Sequence, residues 1–293
     1  MESVKLQLLV TLVVVLEATG IFVTKGCPSE KALHEVAADS DLGQVHRTLD
    51  WGVAVDGKLD DDSGRTPLGT AVPLFILAGQ SNMGGYGDDS ELPPGLSGTQ
   101  NAQIWVNGVW QPVAPGYGSI PGCFGPELML ATELPGAYFV KVAPGATSLA
   151  VDWNPDTGAW YSQLIQQATA ARATMDNPTI PCLFWMQGER DSRYEDMADA
   201  YGANLLNFAK RIRADLGIPD LPIVFARIKG PFDAPWRGTV RARMAWATTV
   251  DPLLKMIDTD DLPLRSDNLH YDTRGQIILG ERFAQAYFSI PIP

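Results

Sequence analysis

From residue 73 onward, short apolar runs alternate with longer stretches in which apolar positions recur every three to five residues. The short runs, bounded by Gly, Pro or polar residues, read as buried strands, and the periodic stretches read as amphipathic helices. Strands are expected over Leu74 to Ala78, Ala137 to Ala143, Cys182 to Met186, Ile223 to Arg227 and Leu253 to Ile257. Helices are expected over Pro126 to Glu133, Trp160 to Met175, Tyr194 to Leu216, Trp236 to Thr249 and Thr273 to Phe288. In the helix from Tyr194, Ala200, Leu205, Phe208, Ile212 and Leu216 would face a sheet. Such alternation suggests βαβ units and a mostly parallel sheet. The interval from Tyr86 to Cys123, rich in Gly, Pro, Asn and Trp, has no regular period, and loops of that length are usually functional or partly folded on their own.

Ahead of this region the pattern changes twice. Leu6 to Val23 is almost wholly apolar, preceded by Lys5 and interrupted by Glu17. Residues 1–25 are therefore expected to be a signal peptide, a membrane anchor, or a segment packed into a larger assembly such as a virus particle. Ala18 and Gly20 offer a small-residue cleavage site, whereas Glu17 would be costly in a bilayer interior. A signal or anchor would put the protein outside the cytoplasm, secreted or held at the envelope; the assembly reading makes it a virion component. Residues 26–71 are polar and irregular and end near Asp60, Asp61 and Asp62, as an exposed acidic linker would. Trp51 to Asp56 reads as a short strand, and His34 and His46 sit in this stretch without metal-ligand spacing. The expected division is 1–25, 26–71 and a folded domain over 72–293.

Composition narrows the partners. The chain has 293 residues, 45% of them apolar, enough for a sizeable core. A formal net charge of −12 and a pI near 4.6 argue against a nucleic-acid partner, which would need a basic footprint. Cys27, Cys123 and Cys182 are too few and too scattered for a disulfide framework or a zinc site. No bridge between Cys123 and Cys182 is expected, since one lies in a loop and the other opens a strand.

Candidate chemistry gathers where the apolar runs end. The first run stops on Gly79-Gln80-Ser81-Asn82-Met83, which would put Ser81 just past the carboxyl end of a buried strand, where ligands bind in open α/β sheets. Phe124-Gly125-Pro126-Glu127 reads as a helix entry with proline at the first position. Trp185 to Asp191 carries a strand straight into Gln187, Glu189 and Asp191. His270 is the only histidine in the expected domain, and Asp267 precedes it by three residues. An imidazole can take a hydroxyl proton while a carboxylate holds its other nitrogen in the right tautomer.

In this order and spacing, Gly79 to Met83, Phe124 to Glu127, Gln187 to Asp191 and Asp267-x-x-His270 resemble the SGNH-hydrolase superfamily. More closely, they resemble its sialate O-acetylesterase and acetylxylan-esterase branch, carbohydrate esterase family six. Lys141 to Leu149 is similar to a segment of that branch, which usually has Gly-Gly where this chain has Gly145-Ala146. The resemblance spans roughly residues 73–288. It implies a three-layer α/β/α sandwich with a flavodoxin-like, mostly parallel five-stranded sheet. It also implies a serine esterase that removes acetyl groups from carbohydrate hydroxyls. Glu189 and Asp191 could be read as a metal pair, but no second histidine supports it, and neither a metal nor a cofactor is expected.

Under that resemblance Ser81 is the expected nucleophile, His270 the base and Asp267 its orienting carboxylate. The backbone N–H groups of Ser81 and Gly125 and the side chain of Gln187 or Asn82 are the expected oxyanion donors, with Gln80, Glu127 and Glu189 in support. Glu189 and Asp191 are expected to brace the loops. The expected partner is an acetylated carbohydrate, with a membrane or virion contact through residues 1–25. Trp105, Trp110, Tyr117, Trp153 and Trp185 are candidates for stacking on sugar rings. The alternative is a non-catalytic carbohydrate-binding or structural module on a virus particle or cell surface, against which the intact Ser81, Asp267 and His270 set speaks. A lipase-like esterase fits less well, because the long loops are rich in Gly, Asn and Pro.

Overall fold

The computed structural model describes residues 71–290. The apolar leader, the acidic linker, His34, His46 and the Trp51 to Asp56 strand all lie outside the described residues, as do the last three residues. Every strand and helix expected after residue 72 is present, most within a residue or two of the expected bounds.

Eight strands form one sheet. Seven of them follow the order β10 (Leu254–Ile257), β9 (Ile223–Ala226), β8 (Leu183–Met186), β1 (Val72–Gly79), β6 (Tyr138–Val142), β3 (Thr99–Val106) and β4 (Val109–Val113). The short β7 (Pro178–Thr179) runs parallel to the start of β1. All pairs along the path are parallel except β3–β4. The five expected strands thus form a continuous parallel block with β1 near its middle. The sheet exceeds the five-stranded expectation because β3 and β4 extend it beyond β6 and the short β7 adds a strand beside β1.

That extension lies in the interval read as lacking regular structure. Asn107 and Gly108 both have positive φ, 50° and 84°. This is the turn that an Asn-Gly pair makes between two strands whose right-handed twist it matches. A further small pair, β2 (Gly87–Asp88) with β5 (Cys123–Phe124), closes the same interval.

The layers follow from strand alternation. Successive strand residues point to opposite faces. On β8, Phe184 packs on Phe283 and Tyr287 of α6 (Thr273–Phe288), while its neighbour Trp185 packs on Phe208 of α4 (Glu195–Leu216). Helices α4 and α6 therefore cover opposite faces of the sheet. α1 (Ser81–Gly84) follows β1 directly; α2 (Glu127–Glu133) packs beside α6, and α3 (Ala159–Arg172) and α5 (Arg237–Val250) flank α4. The result is the three-layer α/β/α sandwich. Along α4 the buried stripe is Ala198, Tyr201, Leu205, Phe208, Ile212 and Leu216, so Ala198 and Tyr201 replace the expected Ala200. Each large apolar side chain buried in this way contributes roughly 1.5–3 kcal/mol. Cys182 is a free buried thiol and Cys123 is disulfide-bonded, so no bridge joins the two.

Three strand ends meet at one edge of the sheet. The segments after β1, β6 and β8 carry Ser81, Gly145 and Gln187, and the loop before α6 brings His270 to the same edge. This is the carboxyl edge, where doubly wound sheets place their ligand sites.

Candidate active site

The turn after β1 is built on a glycine. Gly79 has φ +148°, and a Cβ there would overlap the Met186 carbonyl oxygen of β8. Gln80 N–H donates to that same carbonyl at 2.9 Å, after which the chain winds into α1 with Met83 and Gly84 N–H groups on Gln80 O. Ser81 opens this single turn, and its own N–H finds no acceptor among the described residues.

His270 Nε2 lies 3.0 Å from Ser81 Oγ, and its Nδ1 lies 2.6 Å from Asp267 Oδ2. The other carboxylate oxygen, Oδ1, accepts the backbone N–H groups of Leu269 and His270, each at 2.9 Å. Burial works to raise the pKa of Asp267, but these hydrogen bonds and the nearby imidazole outweigh it and hold the carboxyl at about 2. An ionised Asp267 fixes the Nδ1–H tautomer and leaves Nε2 to accept the serine proton. The tight turn passes through Asn268 at φ 55°. Tyr86 stacks on the imidazole at 4.1 Å, and Arg265 donates to Tyr86 O at 2.8 Å.

Asn82 fastens the two halves together. Its Oδ1 accepts from Tyr271 N–H at 3.1 Å, and its Nδ2 donates to Leu269 O at 3.2 Å and Glu189 Oε1 at 2.6 Å. Both amide protons are thus used, so the oxyanion role expected of Asn82 gives way to a clamp on the His270 loop. Glu189 is 3% exposed, and its Oε2 has no partner among the described residues. Burial pushes its pKa up to about 7 against the opposing hydrogen bond from Asn82.

Gln187 is also committed elsewhere. Its Nε2 donates to Asp191 Oδ2 at 2.6 Å and to Thr147 O at 2.9 Å, and its Oε1 accepts from Tyr201 OH at 3.2 Å. With no proton to spare, its amide ties the end of β8 to the loop after β6 and points no donor at a substrate. Asp191, fully buried, also takes the N–H groups of Leu149 and Ala150 at 2.9 and 3.1 Å. Burial raises its pKa to about 6 in spite of these bonds. Glu189 thus bonds the Asn82 amide of the serine turn, and Asp191 bonds Gln187 and the loop after β6. Gln80 Oε1 faces Gln187 Nε2 at 3.3 Å and Arg190 N–H at 3.4 Å.

On the other flank, Gly125 N–H donates to Glu127 Oε1 at 2.9 Å, which removes it as an oxyanion donor. Glu127 Oε2 meets Lys141 Nζ at 2.6 Å, and that ammonium also donates to Gly84 O at 2.6 Å and Tyr117 O at 2.9 Å. Burial lowers the Lys141 pKa, opposed by the Glu127 carboxylate. The glycine beside the nucleophile is Gly145: a Cβ there would lie 3.9 Å from Ser81 Cβ. Its N–H has no acceptor among the described residues. The signal for it was the Lys141 to Leu149 segment; nothing in the sequence pattern marked Tyr86.

Trp153 and Trp185 are fully buried and pack edge to face at 5.1 Å, so neither is available to stack on a sugar. Trp105, Trp110 and Tyr117 keep exposed surface. Among the described residues, no group of three or more His, Cys, Asp or Glu side chains is placed to hold a metal ion.

A doubly wound α/β domain that brings a serine, a histidine and an aspartate together at the carboxyl edge of its sheet has the make-up of a serine ester hydrolase. The chain belongs to the carbohydrate esterase family of sialic acid-specific acetylesterases, whose model matches residues 71–289. It is accordingly a carboxylic ester hydrolase. A probable carbohydrate esterase of Arabidopsis thaliana is 28% identical, the match covering 74% of this chain and 90% of the relative. The crystal structure of that Arabidopsis protein superposes with a TM-score of 0.65 at 27% identity, covering 75% of this chain and 98% of the other. A carbohydrate acetylesterase from Xanthomonas citri gives a TM-score of 0.57 at 16% identity, covering 73% of this chain and 55% of that one, a likeness of fold alone.

Proposed function

We propose that the protein removes O-acetyl groups from carbohydrate by a serine acyl-enzyme mechanism. The observation that carries this reading is the chain of contacts from Ser81 Oγ to His270 Nε2 and from His270 Nδ1 to the ionised Asp267. Ser81 Oγ attacks the acetyl carbonyl carbon as its proton passes to Nε2. The tetrahedral intermediate collapses, the sugar oxygen leaves with the proton from Nε2, and acetyl remains on Ser81. Water then attacks the acyl-enzyme, gives its proton to Nε2, and acetate departs as Ser81 regains its hydroxyl. Asp267 stays ionised throughout and stabilises the imidazolium.

The developing oxyanion is met by the N–H groups of Ser81 and Gly145, the two beside the nucleophile without an acceptor among the described residues. Each such donor is typically worth about 3 kcal/mol of barrier. The experiment is acetate release from p-nitrophenyl acetate and from O-acetylated glycans by the wild type and Ser81→Ala. Loss of at least ~10³-fold in kcat on both substrates is expected. Full activity in Ser81→Ala would overturn the assignment.

A further inference from the structure

The mechanism leaves one concavity at the carboxyl edge of the sheet without a role. A groove of about 350 Å³ runs along the ends of β3 and β6, with Trp105, Tyr117 and Trp160 as aromatic walls and Pro144 at one end. Its volume is in the range of small-molecule sites. Pro144 adjoins Gly145, the residue that lies against Ser81, so the groove opens beside the nucleophile. Its wall is tied to the serine turn, since Lys141 Nζ bridges Tyr117 O and Gly84 O.

The lining has the chemistry of a sugar site. Trp105 is held rigidly: its Nε1 donates to Gln167 Oε1 at 3.0 Å, and Trp110 packs against it edge to face at 4.9 Å. The side-chain amides of Asn107 and Gln163 are exposed on the groove and make no side-chain hydrogen bond to a described residue. The one charged group there, Lys141, is spent on Glu127. Rigid aromatic faces for C–H surfaces, free amides for hydroxyls and no unpaired charge match a neutral pyranose.

We propose that this groove is a subsite for a neutral pyranose residue of the glycan, next to the acetylated sugar held at Ser81. The inference rests on the esterase reading for what sits at Ser81, while its own evidence is the groove. The protein would then prefer esters of oligosaccharides to those of single sugars. Stacking on one aromatic ring is worth roughly a factor of ten.

The test has two readouts. First, kcat/KM is measured on O-acetylated tetrasaccharides and on the corresponding acetylated monosaccharides. The wild type should favour the tetrasaccharide by about tenfold or more, with Trp160→Ala and Gln163→Ala each reducing that ratio. Gln163 is exposed on α3, so its variant remains informative if Trp160→Ala fails to fold. Second, tryptophan fluorescence follows binding of neutral xylo-, manno-, gluco- and N-acetylglucosamine tetrasaccharides to Ser81→Ala. Saturable quenching by at least one, lost in the Trp160→Ala background, is expected. Deacetylation without length preference and without binding would overturn the subsite while leaving the esterase reading intact. Binding without deacetylation by the wild type would overturn the esterase reading and leave the subsite standing.

Discussion

Asn82 holds His270 in place without touching it. The Asn82 amide accepts from Tyr271 N–H at 3.1 Å and donates to Leu269 O at 3.2 Å, one residue on either side of the histidine. Asn82 also follows Ser81 directly on α1, so a single side chain sets the serine turn and the histidine loop in register. Glu189, buried behind it, accepts the second Nδ2 proton and thereby fixes which way the amide faces.

This predicts a specific pattern of loss and rescue. Asn82→Ala should lower kcat by ~10²-fold with little change in KM, the effect of misplacing a proton acceptor by about an ångström. Asn82→Asp places a carboxylate against Glu189 and should be at least as damaging. Glu189→Gln in that background restores a donor–acceptor pair in reverse and should recover part of kcat, a coupling that a double-mutant cycle reads. A double variant no better than Asn82→Asp would refute the clamp.

Asp267 gives a second kinetic prediction. Its carboxyl is held at about 2, so it remains ionised across the range in which the enzyme would work. Asp267→Asn keeps the shape but frees the imidazole to take the wrong tautomer, and kcat should fall by ~10⁴-fold.

The elements were readable because β1, β8 and β9 are buried on both faces and so appear as unbroken apolar runs. The serine turn was readable from Gly79, which nothing larger can replace beside Met186. Partner choice inside the site was harder to read. Asn82, Gln187 and Gly125 each stand at the right strand end to serve an oxyanion, but their protons go to Glu189, Asp191 and Glu127, and only folding decides which acceptor is nearer. The β3–β4 hairpin had a local signal in Asn107-Gly108, outweighed by the Gly and Pro around it. Trp153 and Trp185 show the limit of composition, for an aromatic residue suits a core as well as a sugar.

Lys141 and Glu127 form a buried pair whose partners cannot be lost singly. Lys141→Met leaves the Glu127 carboxylate buried opposite an apolar chain and should cost about 3–5 kcal/mol. In a domain of this size each kcal/mol is roughly 2–4 °C in Tm, so calorimetry should show a fall of about 6–20 °C. Lys141→Met with Glu127→Gln should recover part of it. A single variant as stable as the wild type would mean that the pair contributes nothing to the fold.

Glu189 and Asp191 make stability depend on pH in the opposite sense to ordinary acid denaturation. Burial raises their pKa values from 4.5 to about 7 and from 3.8 to about 6, so the folded state holds protons that the unfolded chain has released. Where the folded state binds more protons, stability falls as pH rises. Their contribution is complete below about pH 4 and is lost as pH rises through about 6 to 7. Each is of the order of 3 kcal/mol. The net charge of −12 pushes the same way, because self-repulsion grows as carboxyls ionise, so the wild-type trend alone does not isolate these residues. Glu189→Gln does, since it removes the titrating group while keeping an acceptor for Asn82. Tm followed from pH 5 to 8 should decline in the wild type and decline distinctly less in Glu189→Gln; equal slopes would show that Glu189 is already ionised in the folded protein at pH 5.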